Sequence, residues 1–497
     1  MNKKTFTLII LIQLFVANSF GQLWYLTRGL STDELAWAVD ADSTGNIYWA
    51  IEEKNQFPYW YYNIILFKIA PDAQQIWQST PFGSIYNDIA FKTTVHGSSV
   101  YLSGRTDSTG ANSSADGLVL SYNTSNAALN WQYIYSPIPD YGYEEIDGLN
   151  VQPDGIYLSG WTKGNTTDED VLLQKISLSG QHIWTNYWDY DGIGAFDGAN
   201  GHMAMDNNFL YVGAHVNLFD GSLACFSRNN GAYQWDVTWS NSNNDEVLGL
   251  TMSADSMLYT VGYYCPPGNS QTCIKKFTRA GQLKWSHIWG GTGTEDARTI
   301  VTDGDSIIYV IGTTSSYGNG GKDIFVLKYD TTGILNDSII WGGAFDEVSH
   351  DAVMVGDYIY ITGETQSFGN GQTNSDHIED GLLLKINGRT MQSPDSTMTN
   401  VTTFFFNEQS AVKIYPNPFS QSTTLEITNA QNQKYDLNIY DVFGKTVYQS
   451  IINKSTPLSS GEGKPVLSEV ERGVKSILNL NLPNGIYFLQ IKSDNFA

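Results

Sequence analysis

With 497 residues, 16% of them charged and 13% aromatic, 47 glycines and a formal net charge of −24, the chain is too long for one average domain. It reads as many short strands joined by tight turns. The acidic balance excludes phosphate-backbone binding, and with it nucleic acid, and also anionic membrane surfaces, because both need a surplus of Lys and Arg.

The first residues, "MNKKTFTLIILIQLFVANSFGQ", set Lys3 and Lys4 before an apolar run that ends in the small residues Ser19 and Gly21. That is the order of a secretory signal, expected over residues 1–21 with cleavage before Gln22. The run is short for a membrane span and no other stretch reaches about 20 apolar residues. The mature chain is therefore expected to be soluble, outside the cytoplasm and not membrane-spanning.

From residue 22 to 388 the chain repeats itself. Tyr48, Tyr101, Tyr157, Tyr211, Tyr259, Tyr309 and Tyr360 recur in fragments such as "SVYLSG", "MLYTVG" and "YIYITG", at gaps of 48 to 56 residues. An acid stands 12 to 14 residues before each: Glu34, Asp88, Glu145, Asp197, Glu246, Asp296 and Glu347. After each Tyr strand comes another apolar run, then a segment bearing Trp77, Trp131, Trp184, Trp235 or Trp285, with Asp337 in the corresponding place of the next unit. Each unit is thus four short strands, A to D, with the acid opening A and the Tyr in B. Period-2 strands in units of about 50 residues fit propeller blades rather than helical solenoids. The seventh unit lacks a D strand, whereas "QLWYLTRG" at 22–29 is a D strand without a blade and carries Trp24 in register. The expectation is an all-β, seven-bladed β-propeller that this N-terminal strand closes, removing an open edge. The repeat resembles the β-propeller repeats of many secreted bacterial proteins, a resemblance that implies the fold and no particular reaction.

Residues 389–410 break the period and are rich in Ser, Thr and Asn, as a linker would be. Beyond them "YPNPF", "YDVFGK" and "NGIYFL" punctuate alternating strands, which suits a small β-sandwich over 411–497. These motifs resemble the C-terminal (type A) sorting domain of the type IX secretion system of Bacteroidetes. The resemblance implies an address read by the type IX export machinery, and a protein that passes through the periplasm to the outer-membrane surface or the extracellular space.

Signals for chemistry are weaker. Seven acids at one mouth of a channel could hold a cation or a sugar, but a residue present in every blade is what blade packing demands, so a structural ring is the expectation. Cys265 and Cys273 flank a loop and are disulfide candidates in an oxidising compartment, and Cys225 reads as a buried thiol. The histidines show no metal-ligand spacing and no metal is expected. "DADSTGN" at 40–46 resembles a calcium loop without its distant Glu, so a plain turn is preferred to calcium and no cofactor is assigned. The feature that breaks symmetry is the first blade's B to C loop, "EEKNQFPYWYYN", where Tyr59, Trp60, Tyr61 and Tyr62 could anchor an extracellular glycan or protein ligand. The alternative is that these rings pack on the next blade or begin strand C. A non-catalytic binding module is the reading. A glycan-active lyase or hydrolase using Asp140, Asp189 and Asp191 is the alternative.

Overall fold

The computed structural model describes the strand Leu8–Gln13, residues 23–394 apart from short connections, and the strands between 402 and 492. The connections left out are 30–32, 55–60, 84–85, 108–114, 138–141, 164–168, 191–196, 200, 218–219, 241–244, 265–268 and 369–378. Two compact units result, Leu23–Pro394 and a second made of Met1–Gln22 with Asp395–Ala497.

The first unit is a ring of seven four-stranded antiparallel sheets. In blade 1 the strands are Glu34–Ala41 (A), Ile47–Lys54 (B), Tyr62–Ile69 (C) and Gln75–Gln78 (D). Strands B and C are β-branched and aromatic and are buried on both faces, whereas strand D is mostly exposed, as "QIWQ" shows. Blades pack face to face: Tyr48, Ile64 and Leu66 of blade 1 share a core with Val100, Leu102 and Leu118 of blade 2.

The recurring Tyr and Trp meet at the blade junctions, although the Trp184 indole N–H has no hydrogen-bond partner among the described residues. In strand D the indole N–H donates to a carbonyl in the C to D turn of the next blade: Trp77 to Thr124 at 3.0 Å, Trp131 to Leu178 at 3.2 Å and Trp285 to Thr331 at 3.3 Å. The strand B Tyr packs on that indole at ring separations of 5.9 Å in all three of these blades. Where strand C offers a Lys opposite the indole, its ammonium shares the same carbonyl, as Lys68 does on Thr124 and Lys276 on Thr331. It also lies 5.1 Å from the Tyr ring centre in both blades.

Blade 7 is completed by Trp24–Arg28, which pairs with Asp380–Asn387 from Trp24 opposite Lys385 to Arg28 opposite Gly381. Trp24 is 8% exposed. It repeats the contact made elsewhere: its N–H donates to Pro71 of blade 1 at 3.0 Å, and Lys385 reaches the same oxygen at 2.9 Å. The ring is therefore closed from both ends of the chain.

The propeller extends beyond residue 388, where the linker was expected to begin. Lys328 donates to the Arg389 carbonyl at 2.7 Å and Met391 is fully buried in the core of the last blades. The linker region further contains a strand, Thr402–Asn407, that pairs with Ser410–Tyr415. The second unit holds two antiparallel sheets, one of five strands and one of four. In the four-stranded sheet, the apolar centre of the expected leader, Leu8–Gln13, lies along Ile486–Lys492. A β-branched apolar run can occupy a free sheet edge of this kind.

Trp24→Phe keeps the ring and removes the N–H, so it should cost about 1 kcal/mol. Trp24→Ala should cost about 3–5 kcal/mol, and deleting residues 22–29 should cost more. Thermal unfolding of the purified protein measures this, and an unchanged transition in the deletion would refute closure by this strand.

Candidate functional site

The acids at the start of the inner strands form a ring one residue away from the expected one in three blades. The buried positions are Glu34, Asp88, Glu144, Asp197, Asp245, Glu295 and Glu347, each no more than 3% exposed. In "EE", "DE" and "ED" pairs the first acid is the registered one, because it lies opposite the end of strand B, as Glu144 does to Thr162 and Glu295 to Thr314. The ring acids tie the blade junction. Glu295 accepts the Thr314 hydroxyl at 2.9 Å and the Gly291 N–H at 2.9 Å, and Glu347 accepts the hydroxyl of Thr365 and the N–H of Gly343. A side chain on Gly290 would meet the Glu295 carboxylate at 2.2 Å, which explains the glycine pair of "WGG".

The displaced acids Glu145, Glu246 and Asp296 do something else. Glu145 is paired with Arg105 and accepts the Trp161 N–H at 3.2 Å. Glu246 stands 3.7 Å from His215, and Asp296 accepts from Arg298 at 3.1 Å.

In six of the seven blades, all but the fourth, the inner strand carries a β-bulge past the ring acid. Ala90 faces Gly104 and Lys92 faces Ser103, leaving Phe91 as the extra residue. The same shift occurs around Trp37, Asp147, Leu248, Arg298 and His350. A bulge re-aims a side chain, and all six of these side chains line one cavity in the channel, of about 340 Å³. The sequence signal for the bulge is the glycine three residues after the strand B Tyr. A Cβ on Gly104, Gly160, Gly262 or Gly363 would come within 2 Å of a carbonyl oxygen of strand A.

One arc of the cavity is aromatic. Trp37 stacks on His350 with ring centres 3.9 Å apart, and the edge of Phe91 approaches Trp37 at 6.1 Å. His350 Nε2 lies 2.6 Å from Glu364. Asp147 lies on another arc. Burial, with Glu145 and Glu246 nearby, pushes its carboxyl well above the usual range, and Arg105 opposes the shift only in part.

The floor is a polar plug that spans the channel. Lys92 of blade 2 pairs with Asp351 of blade 7 at 2.7 Å, and Asp351 also accepts the Thr299 hydroxyl at 3.2 Å and the Val39 N–H at 3.3 Å. His202 of blade 4 lies 3.4 Å from Lys92 and 3.2 Å from Thr299. Burial and the neighbouring Lys92 push His202 down to about 3, so it is neutral and its Nε2 serves as an acceptor. Burial acts to raise the Asp351 carboxyl, but Lys92 and the hydrogen bonds prevail and hold it below its ordinary value.

Of the ligand-binding candidates, Tyr59 and Trp60 lie outside the described residues. Tyr61 packs on Tyr86 at 5.8 Å, and Tyr62 opens strand C beside Lys54 and Asn87, so these two sit at the junction of blades 1 and 2. Asp140 and Asp191 also lie outside the described residues, while Asp189 is exposed and does not line the cavity. Of the disulfide candidates, Cys273 is a free cysteine opposite Gly262 in its ladder, and Cys265 lies outside the described residues. Cys225 is buried, and burial pushes its thiol up to about 12. In the turn at 40–46, Asp42 accepts from Thr44 and Asn46. Among the described residues, no cluster of three or more His, Cys, Asp or Glu could hold a metal ion, and no helix is long and apolar enough to cross a membrane.

Residues 413–462 match the secretion system C-terminal sorting domain family. The chain carries a type IX sorting domain. That domain directs the propeller through type IX secretion to the cell surface or the extracellular space. No curated protein sequence matches the chain. Among solved structures it is similar to Sqt1 of Chaetomium thermophilum, crystallised with the N-terminus of the ribosomal protein L10. The identity is 11% and the TM-score 0.43, over 72% of this chain and 98% of that one.

Two outcomes follow from the sorting domain and the plug. Deleting residues 411–497 should abolish delivery to the cell surface, which fractionation and immunoblotting measure; normal extracellular amounts would contradict it. Lys92→Met leaves the Asp351 charge buried without its cation and should cost about 3–5 kcal/mol. Because the Asp351 pKa is lowered on folding, its contribution is complete above the unfolded value near 3.9 and is lost as pH falls through the lower folded value. The stability gap between wild type and Asp351→Asn in urea denaturation should therefore be constant at neutral pH and shrink in acid. A gap that does not change with pH would contradict the ion pair.

Proposed function

We propose that the propeller is a non-catalytic binding module, carried to the cell exterior by its sorting domain, whose ligand enters the channel cavity. The observation that carries this reading is the bulge position. One backbone site, repeated around the ring, holds Trp37, Phe91, Asp147, Leu248, Arg298 and His350, whereas the ring acids and the strand B tyrosines stay nearly constant. Packing needs the constant residues. It does not explain six different side chains converging on one space, and a ligand of low symmetry does.

The size fits a single sugar ring or one amino-acid side chain of a larger extracellular glycan or protein. Trp37 and Phe91 offer apolar faces for it, and Asp147 and Arg298 offer polar groups that fix orientation. Tyr61, at the junction between the first two blades, offers a further ring for the part of such a ligand outside the channel.

Glycan and peptide arrays probed with the purified protein test the reading. A specific hit should be weakened by about 1–3 kcal/mol in Trp37→Ala, with a melting temperature close to that of the wild type. A hit that Trp37→Ala leaves intact and Tyr61→Ala removes would move the site to the aromatic loop.

A further inference from the structure

One carboxyl of the cavity wall has no hydrogen-bond partner among the described residues: Asp147 lines the cavity, and its Oδ2 is buried and unbonded. A buried polar atom left unpaired costs about 1–3 kcal/mol, so this carboxyl marks a place where something else supplies donors.

From this orphan carboxyl and the aromatic arc we infer that the cavity takes an organic cation, a protonated amine or guanidinium carried on an apolar stem. This rests on the channel cavity being the binding site. The ammonium or guanidinium N–H groups bond the Asp147 carboxyl, while the stem lies along Trp37 and Phe91, whose ring faces favour a nearby cation. The cations close to the cavity are already matched: Arg298 to Asp296, Arg105 to Glu145, Lys92 to Asp351. Among the described residues Asp147 has no such partner within salt-bridge distance. Its burial beside Glu145 and Glu246 disfavours the charged form, and a bound cation reverses that preference. The net charge of −24 adds a long-range field that draws cations and repels anions. The Trp37 N–H, by contrast, lies toward the Glu52 carboxyl without closing a full hydrogen bond. It therefore adds little demand for an acceptor on the ligand.

The test is isothermal titration calorimetry of the full exported protein with three probes of one shape: cyclohexylmethylamine, cyclohexylmethanol and cyclohexanecarboxylate. The amine should bind at least about tenfold more tightly than either of the others, a gap of about 1.4 kcal/mol. Asp147→Asn should erase that preference while leaving the thermal transition unchanged, because Asn copies the shape of the uncharged acid. If the alcohol or the carboxylate binds as well as the amine, and Trp37→Ala abolishes that binding, the cation assignment is overturned while the channel remains a binding site. If none of the three binds at millimolar concentration, the cation assignment also falls, and the glycan and peptide arrays decide the binding reading independently.

Discussion

Burial of each blade's two faces against its neighbours is the constraint on which the ring depends, and at four junctions a bond from the strand D indole to the next blade's turn fixes how the blades meet. A blade of four strands buries strands B and C completely but cannot cover both faces of its own sheet, so each must find a neighbour, and the last must find the first. The indole fixes how far one blade can slide on the next, because a single N–H must reach a single carbonyl 46 or 47 residues ahead. The Tyr beneath it holds the indole plane, and a strand C Lys, where present, reinforces the same oxygen. Trp24 performs the identical act between blades 7 and 1 across the chain termini of the propeller, so ring closure uses an interaction that three other junctions already possess.

That repetition made the scaffold legible. Tyr48 through Tyr360 and the Trp series recur at one spacing because every blade repeats the same four-strand packing, and the orphan strand at Trp24–Arg28 could be assigned by register alone. The acid ring was legible in kind and displaced by one residue at Glu144, Asp245 and Glu295, since a pair such as "EE" or "ED" offers two carboxylates and only the ladder shows which one faces Thr162 or Thr314.

The cavity was hidden for a different reason. Strand patterns are read as strict alternation, and the bulge breaks alternation at the residue that matters, so Phe91, Asp147 and Arg298 looked like ordinary members of a strand with no common role. Only the glycine that accommodates the bulge, at Gly104, Gly160, Gly262 and Gly363, betrays it in the sequence. The plug was hidden further, because Lys92, His202, Thr299 and Asp351 come from four blades and up to 259 residues apart.

The plug and the wall above it divide the labour of the channel. A buried ion pair such as Lys92–Asp351 adds little net stability compared with an apolar core, but breaking it is costly, so its use lies in fixing one arrangement. It ties blades 1, 2, 4, 6 and 7 across the axis, where strand pairing and blade packing cannot reach. His202 is neutral down to about 3 and Asp351 is held below its ordinary value, so the floor keeps one charge state at any pH the exterior of a cell presents. The wall is different in kind. Asp147 carries an unsatisfied oxygen and a preference for the proton, both of which depend on what enters. A rigid floor of constant charge beneath a wall with unfilled valence lets the cavity respond to a ligand without disturbing the ring that holds it.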